Sequence, residues 1–248
     1  MANPYEKIVW SADVPDCAAL INLEKRMPDL AWIKLDQPFV VNNFEKVWDM
    51  MQTLRLCGKK VFLDLKITEV DQKLIATAEA WLNRGRPSML NCMAGSVSSG
   101  IYNISDENFD ALIGFAETCL ERGVIPCAVS VLTSKDRGLV IEEFRRSPVK
   151  QVLFYAHQIY QAGFRHMVCS PLEAQVLKRD PDLRDLKLVT PGIRPKGADI
   201  GTQSRFTTPS QAIRKGCDYL VIGGPITKAE DPAKALDAIA AEIKPLLV

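Results

Sequence analysis

Short apolar runs alternate with longer amphipathic ones from one end of the chain to the other. Runs of strand type fall at 8–12, 31–35, 60–65, 88–93, 125–131, 165–170, 187–190 and 219–222. Helical periodicity fills the intervals, near 16–27, 43–57, 70–85, 106–122, 139–162, 171–179 and 209–216, with a last stretch near 231–246. Eight βα units at a spacing of roughly 30 residues predict an α/β protein, a single (β/α)8 barrel of the TIM type over 1–248. A doubly wound sheet is the main competitor, and periodicity alone does not separate the two. Helix starts are signalled by Ser105-Asp106-Glu107 and by Thr208-Pro209-Ser210, with a capping side chain and proline at or near the first turn. Gly123, Gly163 and Gly216 stand where helices should stop. Neither an interdomain linker nor a low-complexity tract interrupts the pattern.

Two connections exceed the usual short length. Residues 191–205 are polar and carry glycines, as a lid or gripping loop would. Residues 96–103 are rich in Ser and Gly; Gly95-Ser96-Val97-Ser98-Ser99-Gly100 lacks the Gly-Lys-Ser/Thr ending of a phosphate loop and reads as a connection.

Composition narrows the picture. Of 248 residues, 47% are hydrophobic, enough for a sizeable core, and the formal net charge is +1. So near-neutral a chain has no bias toward nucleic acid or an anionic membrane, and an anionic substrate must be met by local cations. No apolar stretch is long enough for a transmembrane helix. The segment Met1-Ala2-Asn3-Pro4-Tyr5-Glu6-Lys7 lacks a signal-peptide pattern. Seven cysteines are scattered without a Cys-x-x-Cys pair, which suits a reducing, cytoplasmic setting. His157 and His166 lie away from any predicted strand's C-terminal end and read as structural, with no acid pair spaced beside either for zinc. Trp10, Trp32, Trp48 and Trp81 are expected in the core or at a dimer face.

The chemistry concentrates in Val61-Phe62-Leu63-Asp64-Leu65-Lys66-Ile67-Thr68-Glu69. An apolar strand ends in acid, lysine and acid. Asp64 and Lys66 are two apart and on an extended strand share a face. In parallel α/β folds, active sites lie at the C-terminal ends of strands. Strand one would present Asp13 there, strand two Lys34, strand three Asp64, Lys66 and Glu69, strand five Thr133 and Ser134, and strands seven and eight Gly192 and Gly223-Gly224. Alternating lysines and carboxylates hold one another ionised and can stabilise negative charge developing beside a lysine. The glycines would let a phosphate approach backbone N–H groups, or would simply make tight turns.

These elements resemble the orotidine 5′-phosphate decarboxylase family. The likeness runs through Asp13-Val14-Pro15-Asp16, Trp32-Ile33-Lys34, Phe62-Leu63-Asp64-Leu65-Lys66, Leu132-Thr133-Ser134 and Val168-Cys169-Ser170. Its specific part is Thr190-Pro191-Gly192-Ile193-Arg194-Pro195 followed by Gln203-Ser204-Arg205, Thr208-Pro209 and Gly223-x-Pro225-Ile226-Thr227. The resemblance implies decarboxylation of orotidine 5′-phosphate to UMP and CO2 in pyrimidine nucleotide synthesis, without metal or cofactor. It implies that Lys34, Asp64 and Lys66 form a charged array, with Lys66 protonating C6 of the pyrimidine and Asp64 set against the substrate carboxylate. Asp13 would bind a ribose hydroxyl, Ser134 the pyrimidine ring, and Gln203 would bridge the lid to the phosphate. Pro191, Gly223 and Gly224 would also contact the substrate. A homodimer is implied, with Glu69 reaching the partner's site.

The chain departs from the family pattern at several of these places. Glu69 replaces an aspartate, Val70-Asp71-Gln72-Lys73 replaces Ile-Pro-Asn-Thr, Met93 replaces a histidine, and Gly224 replaces the phosphate-binding arginine. Arg194, Lys196, Arg205 and Lys228 are the cations available in its stead. Two other readings stay open: a Mg²⁺-dependent sugar-phosphate lyase of the same suprafamily, and a non-catalytic nucleotide-binding protein.

Overall fold

The computed structural model describes residues 3–95, 106–195 and 207–247. Its eight strands are β1 Ile8–Ser11, β2 Trp32–Asp36, β3 Lys60–Ile67, β4 Met89–Met93, β5 Ile125–Val129, β6 His166–Val168, β7 Lys187–Thr190 and β8 Tyr219–Ile222. Interleaved with them are α1 Cys17–Lys25, α2 Gln37–Asn42, α3 Val47–Leu56, α4 Asp71–Arg84, α5 Asp106–Glu121, α6 Arg137–Phe144 and α7 Pro148–Gln161. Then come α8 Ala174–Arg179, α9 Pro209–Arg214, α10 Gly224–Thr227 and α11 Pro232–Ile243. Neighbouring strands follow chain order and close into a barrel, β8 returning to β1. The pairing of β1 with both β2 and β8, parallel in each case, decides against the doubly wound alternative. Backbone contacts gather into two compact units, 1–64 with 189–248, and 65–188.

In the first unit, strand residues are buried on consecutive positions, as expected where both faces of a parallel sheet are covered. Ile8, Trp10, Ile33, Leu35, Leu63, Leu220 and Ile222 are completely buried. Trp10 keeps a polar handle, its Nε1–H donating to Thr227 Oγ1 at 2.9 Å. Asp36 begins α2 by accepting the Phe39 N–H at 3.0 Å. Thr208 begins α9 in a reciprocal capping box with Gln211. Lys59 is buried, yet its ammonium is fully engaged: Glu24 lies 3.2 Å away and the carbonyls of Pro28 and Leu30 accept at 2.6 and 2.9 Å.

Also in this unit, the Tyr5 hydroxyl donates to Asp237 Oδ1 at 2.8 Å. That bond, then burial, pushes the phenol from its ordinary 10.0 up to about 12. A pKa raised by folding means the contribution is complete below pH 10 and is lost as pH rises through about 12. Tyr5→Phe is therefore expected to lower stability by under about 1 kcal/mol at neutral pH. In urea melts at successive pH values, its deficit should begin to shrink above pH 10 and stay constant below it.

In the second unit, β4 and β5 pair in register Asn91↔Cys127, and β5 and β6 in register Cys127↔His166. Phe115 of α5 and Phe164 stack with centroids 5.8 Å apart. The helix expected over 139–162 is two helices. Ser147 caps α7, accepting the Lys150 N–H at 3.4 Å, and Pro148 occupies its first turn. Arg145 closes α6 in the left-handed region at φ 53°. Likewise the helix expected over 43–57 is shortened to α3, and α2 precedes it. Gly123, Gly163 and Gly216 follow their helices at φ 69°, 94° and 92°, the stop role expected of them. None of the seven cysteines, all of them described, is in a disulfide. Burial raises Cys119 to about 12 and Cys92 well above the ordinary range.

Candidate active site

β3 carries the charged motif, and its last residues are not uniformly extended. Asp64 is buried, and its Oδ2 lies 3.0 Å from Lys34 Nζ, each side chain 11% exposed. The two come together because β2 and β3 pair with Asp36 opposite Asp64, two residues beyond Lys34. In an ion pair this shielded, each charge offsets part of the other's desolvation.

Lys66 departs from what alternation predicts. Its φ is +48°, in the left-handed region that a residue with a β-carbon enters at a cost of about 1–2 kcal/mol. A shared face with Asp64 presumes extended backbone at every step, so the period of two does not set the direction of this side chain. Two neighbours hold the peptide: Lys66 N–H donates to Asn91 Oδ1 at 2.7 Å, and Thr68 Oγ1 donates to the Lys66 carbonyl at 3.0 Å. Asn91, completely buried on β4, was not singled out in the sequence. Its one signal there was a polar residue amid the apolar run Met89-Leu90-Asn91-Cys92-Met93.

The other candidates lie where strands end. Asp13 is exposed just past β1, and Ser11 Oγ donates to its Oδ1 at 3.2 Å. Gly223 closes against that pair: a β-carbon there would stand 2.4 Å from Asp13 Oδ2 and 3.2 Å from Ser11 Cβ. Gly224 is different. A β-carbon there meets nothing nearer than Lys228 Cδ at 4.0 Å. Pro191 precedes Gly192, whose φ of +80° favours glycine. Thr207 N–H donates to the Gly192 carbonyl, and Arg194 N–H donates to that of Thr207.

Glu69 is half-buried between β3 and α4, with Val70 beside it 48% exposed. Thr133 and Ser134 are exposed in the turn after β5. Met93 lines a cavity of about 250 Å³ with Thr68, Ser130, Leu132, Lys135 and Tyr155. Lys135 pairs with Glu143 at its rim. Gln203, Lys196, Arg205 and the 96–103 connection lie outside the described residues.

Among the described residues, one group has the composition of a metal site. His157, Asp180 and Asp182 place ligand atoms within 4.8 Å of one another. It stands on α7 and on the turn between α8 and β7. His157 Nε2 is already engaged by Asp180 Oδ2 at 3.0 Å.

A family profile described as Orotidine 5′-phosphate decarboxylase / HUMPS family matches residues 6–239. The chain belongs to this family. A curated orotidine 5′-phosphate decarboxylase from Actinobacillus pleuropneumoniae is 51% identical over 118 residues, 47% of this chain and 51% of that protein. The matched stretch thus spans about half the length of that relative. The decarboxylase of Actinobacillus succinogenes is 38% identical over 184 residues, 74% of this chain and 75% of its own. The crystal structure of orotidine 5′-phosphate decarboxylase from Lactobacillus acidophilus superposes with a TM-score of 0.77 at 24% identity, covering 96% of this chain and 98% of that one. An uncharacterized conserved protein from Geobacillus kaustophilus gives 0.74 at 21%, over 95% and 99%. Both share the fold.

Proposed function

We propose that the chain decarboxylates orotidine 5′-phosphate to UMP and CO2. The observation that carries the reading is the shielded pair of Lys34 on β2 and Asp64 on β3, 3.0 Å apart, with Lys66 two residues on. Family membership over residues 6–239 supports it. In the reaction the C6–carboxylate bond breaks and its electron pair stays on C6 as CO2 departs. Lys66 delivers a proton to C6 and recovers one from solvent. Asp64 lies against the substrate carboxylate, disfavouring that anion, while the lysines stabilise the charge that develops on the ring. Asp13 takes a ribose hydroxyl, Ser134 the pyrimidine, Gln203 the phosphate, and Pro191 and Gly223 line the substrate. None of these steps calls on a metal or cofactor.

A UV assay of the purified protein with orotidine 5′-phosphate, with and without EDTA, tests the reading. EDTA-insensitive turnover supports it. Turnover of a sugar phosphate abolished by EDTA would indicate the magnesium-dependent lyase. UMP binding without turnover would leave a nucleotide-binding protein.

The missing arginine carries a prediction of its own. Position 224 has room for a side chain beside Lys228. Gly224→Arg is expected to lower KM for orotidine 5′-phosphate about tenfold with little change in kcat, a charged hydrogen bond to phosphate contributing roughly 1.5–3 kcal/mol. Steady-state kinetics of the variant checks this.

The same reading includes a homodimer in which Glu69 serves the partner's site. The half-buried loop carrying Glu69 and the exposed Val70 beside it support this. Sedimentation velocity that finds only monomer would remove it. One domain over 1–248 is part of the reading too, and a single cooperative unfolding transition is the expected sign. A reducing, cytoplasmic setting suits seven cysteines without a disulfide. Among the described residues no helix is long and apolar enough to cross a membrane.

A further inference from the structure

We propose that Asn91 is a positioning residue for Lys66, fixing the backbone from which the proton donor projects. The inference rests on the decarboxylase reading and adds to it a residue outside the charged array. Lys66 sits at φ +48°, a conformation that its own side chain disfavours and that the surroundings must impose. A buried N–H must find an acceptor. Asn91 Oδ1 supplies one at 2.7 Å.

Position 91 lies in apolar surroundings. It is completely buried on β4, and its strand neighbours Leu90 and Cys92, with Cys127 opposite on β5, are buried as well. An amide in such a place is expensive unless its polar atoms are used. From the other side Thr68 Oγ1 donates to the Lys66 carbonyl at 3.0 Å, so the peptide groups flanking the lysine are each held by a side chain. Release at Asn91 would let φ relax toward extended values and swing the lysine stem. A displacement of about 1 Å at a reacting group can lower a rate about 10²-fold.

The test compares wild type, Asn91→Leu and Asn91→Asp by kcat, KM, UMP affinity and thermal melting. Asn91→Leu keeps the shape and removes the acceptor; Asn91→Asp keeps an acceptor oxygen. Asn91→Leu is expected to lower kcat by about 10²-fold while KM and UMP affinity change less than about threefold. Asn91→Asp should recover kcat to within about tenfold of wild type. In a Lys66→Ala background Asn91→Leu should lower the residual rate no further, since the two act as one unit. An unchanged kcat in folded Asn91→Leu, or full additivity with Lys66→Ala, overturns the inference and leaves the decarboxylase standing. Absence of turnover in wild type overturns the decarboxylase reading, and the inference with it. Hydrogen exchange on ¹⁵N-lysine-labelled wild type covers the case in which Asn91→Leu does not fold. A protected Lys66 amide is expected, and exchange at the rate of an open loop overturns the proposal.

Discussion

Lys66→Ala is expected to lower kcat for orotidine 5′-phosphate by at least roughly 10⁴-fold, with the protein still folded and still binding UMP. Two losses combine. A positioned proton donor is worth about 10²–10⁴-fold. Removing one group that stabilises developing charge in a water-poor site costs about 10²–10³-fold. Single-turnover measurement under excess enzyme reads the residual rate; a fall of less than tenfold would mean that the proton comes from elsewhere. The backbone adds a second, opposite expectation. Alanine at φ +48° keeps the strain, whereas glycine does not. Lys66→Gly should therefore be more stable than Lys66→Ala by about 1 kcal/mol in urea melts, even though both are inactive.

Asp64→Ala should damage both stability and rate. It removes the carboxylate 3.0 Å from an ammonium that is only 11% exposed. Removing one partner of a buried pair costs about 3–5 kcal/mol; the residual exposure puts the expected loss near 3 kcal/mol. kcat should fall about 10²–10³-fold. Pairing the change with Lys34→Met should recover part of the stability and none of the rate. A double-mutant cycle read by denaturation and by kinetics separates the two effects.

The barrel was readable because β strands covered on both faces leave unbroken apolar runs, and β7 and β8 match their expected limits. What periodicity missed was punctuation. Ser147-Pro148 is a capping pair inside an otherwise continuous amphipathic stretch, and it splits one expected helix into α6 and α7. Asp36, with Pro38 after it, starts α2 in what had read as a connection. In the site, Lys34 and Asp64 were legible because strand order brings adjacent strands together. The φ of Lys66 was not, because it depends on Asn91, 25 residues away on the next strand. The pairing of His157 with Asp180 was hidden for the same reason, 23 residues apart in sequence. Lys59 also gave no sign: its acceptors, Glu24 and the carbonyls of Met27, Pro28 and Leu30, come from the segment that ends α1 and leads to β2.

Gly223 and Gly224 are neighbours with opposite mutational futures. In a saturation library selected for turnover, the column for 223 should be almost blank, because even one methyl group enters the space of Asp13 and Ser11. The column for 224 should be well populated, because its side-chain direction is open. A side chain can thus be gained or lost at 224 without disturbing the turn that carries it. Drift at that position is expected to be tolerated, and the residue before it is expected to stay fixed.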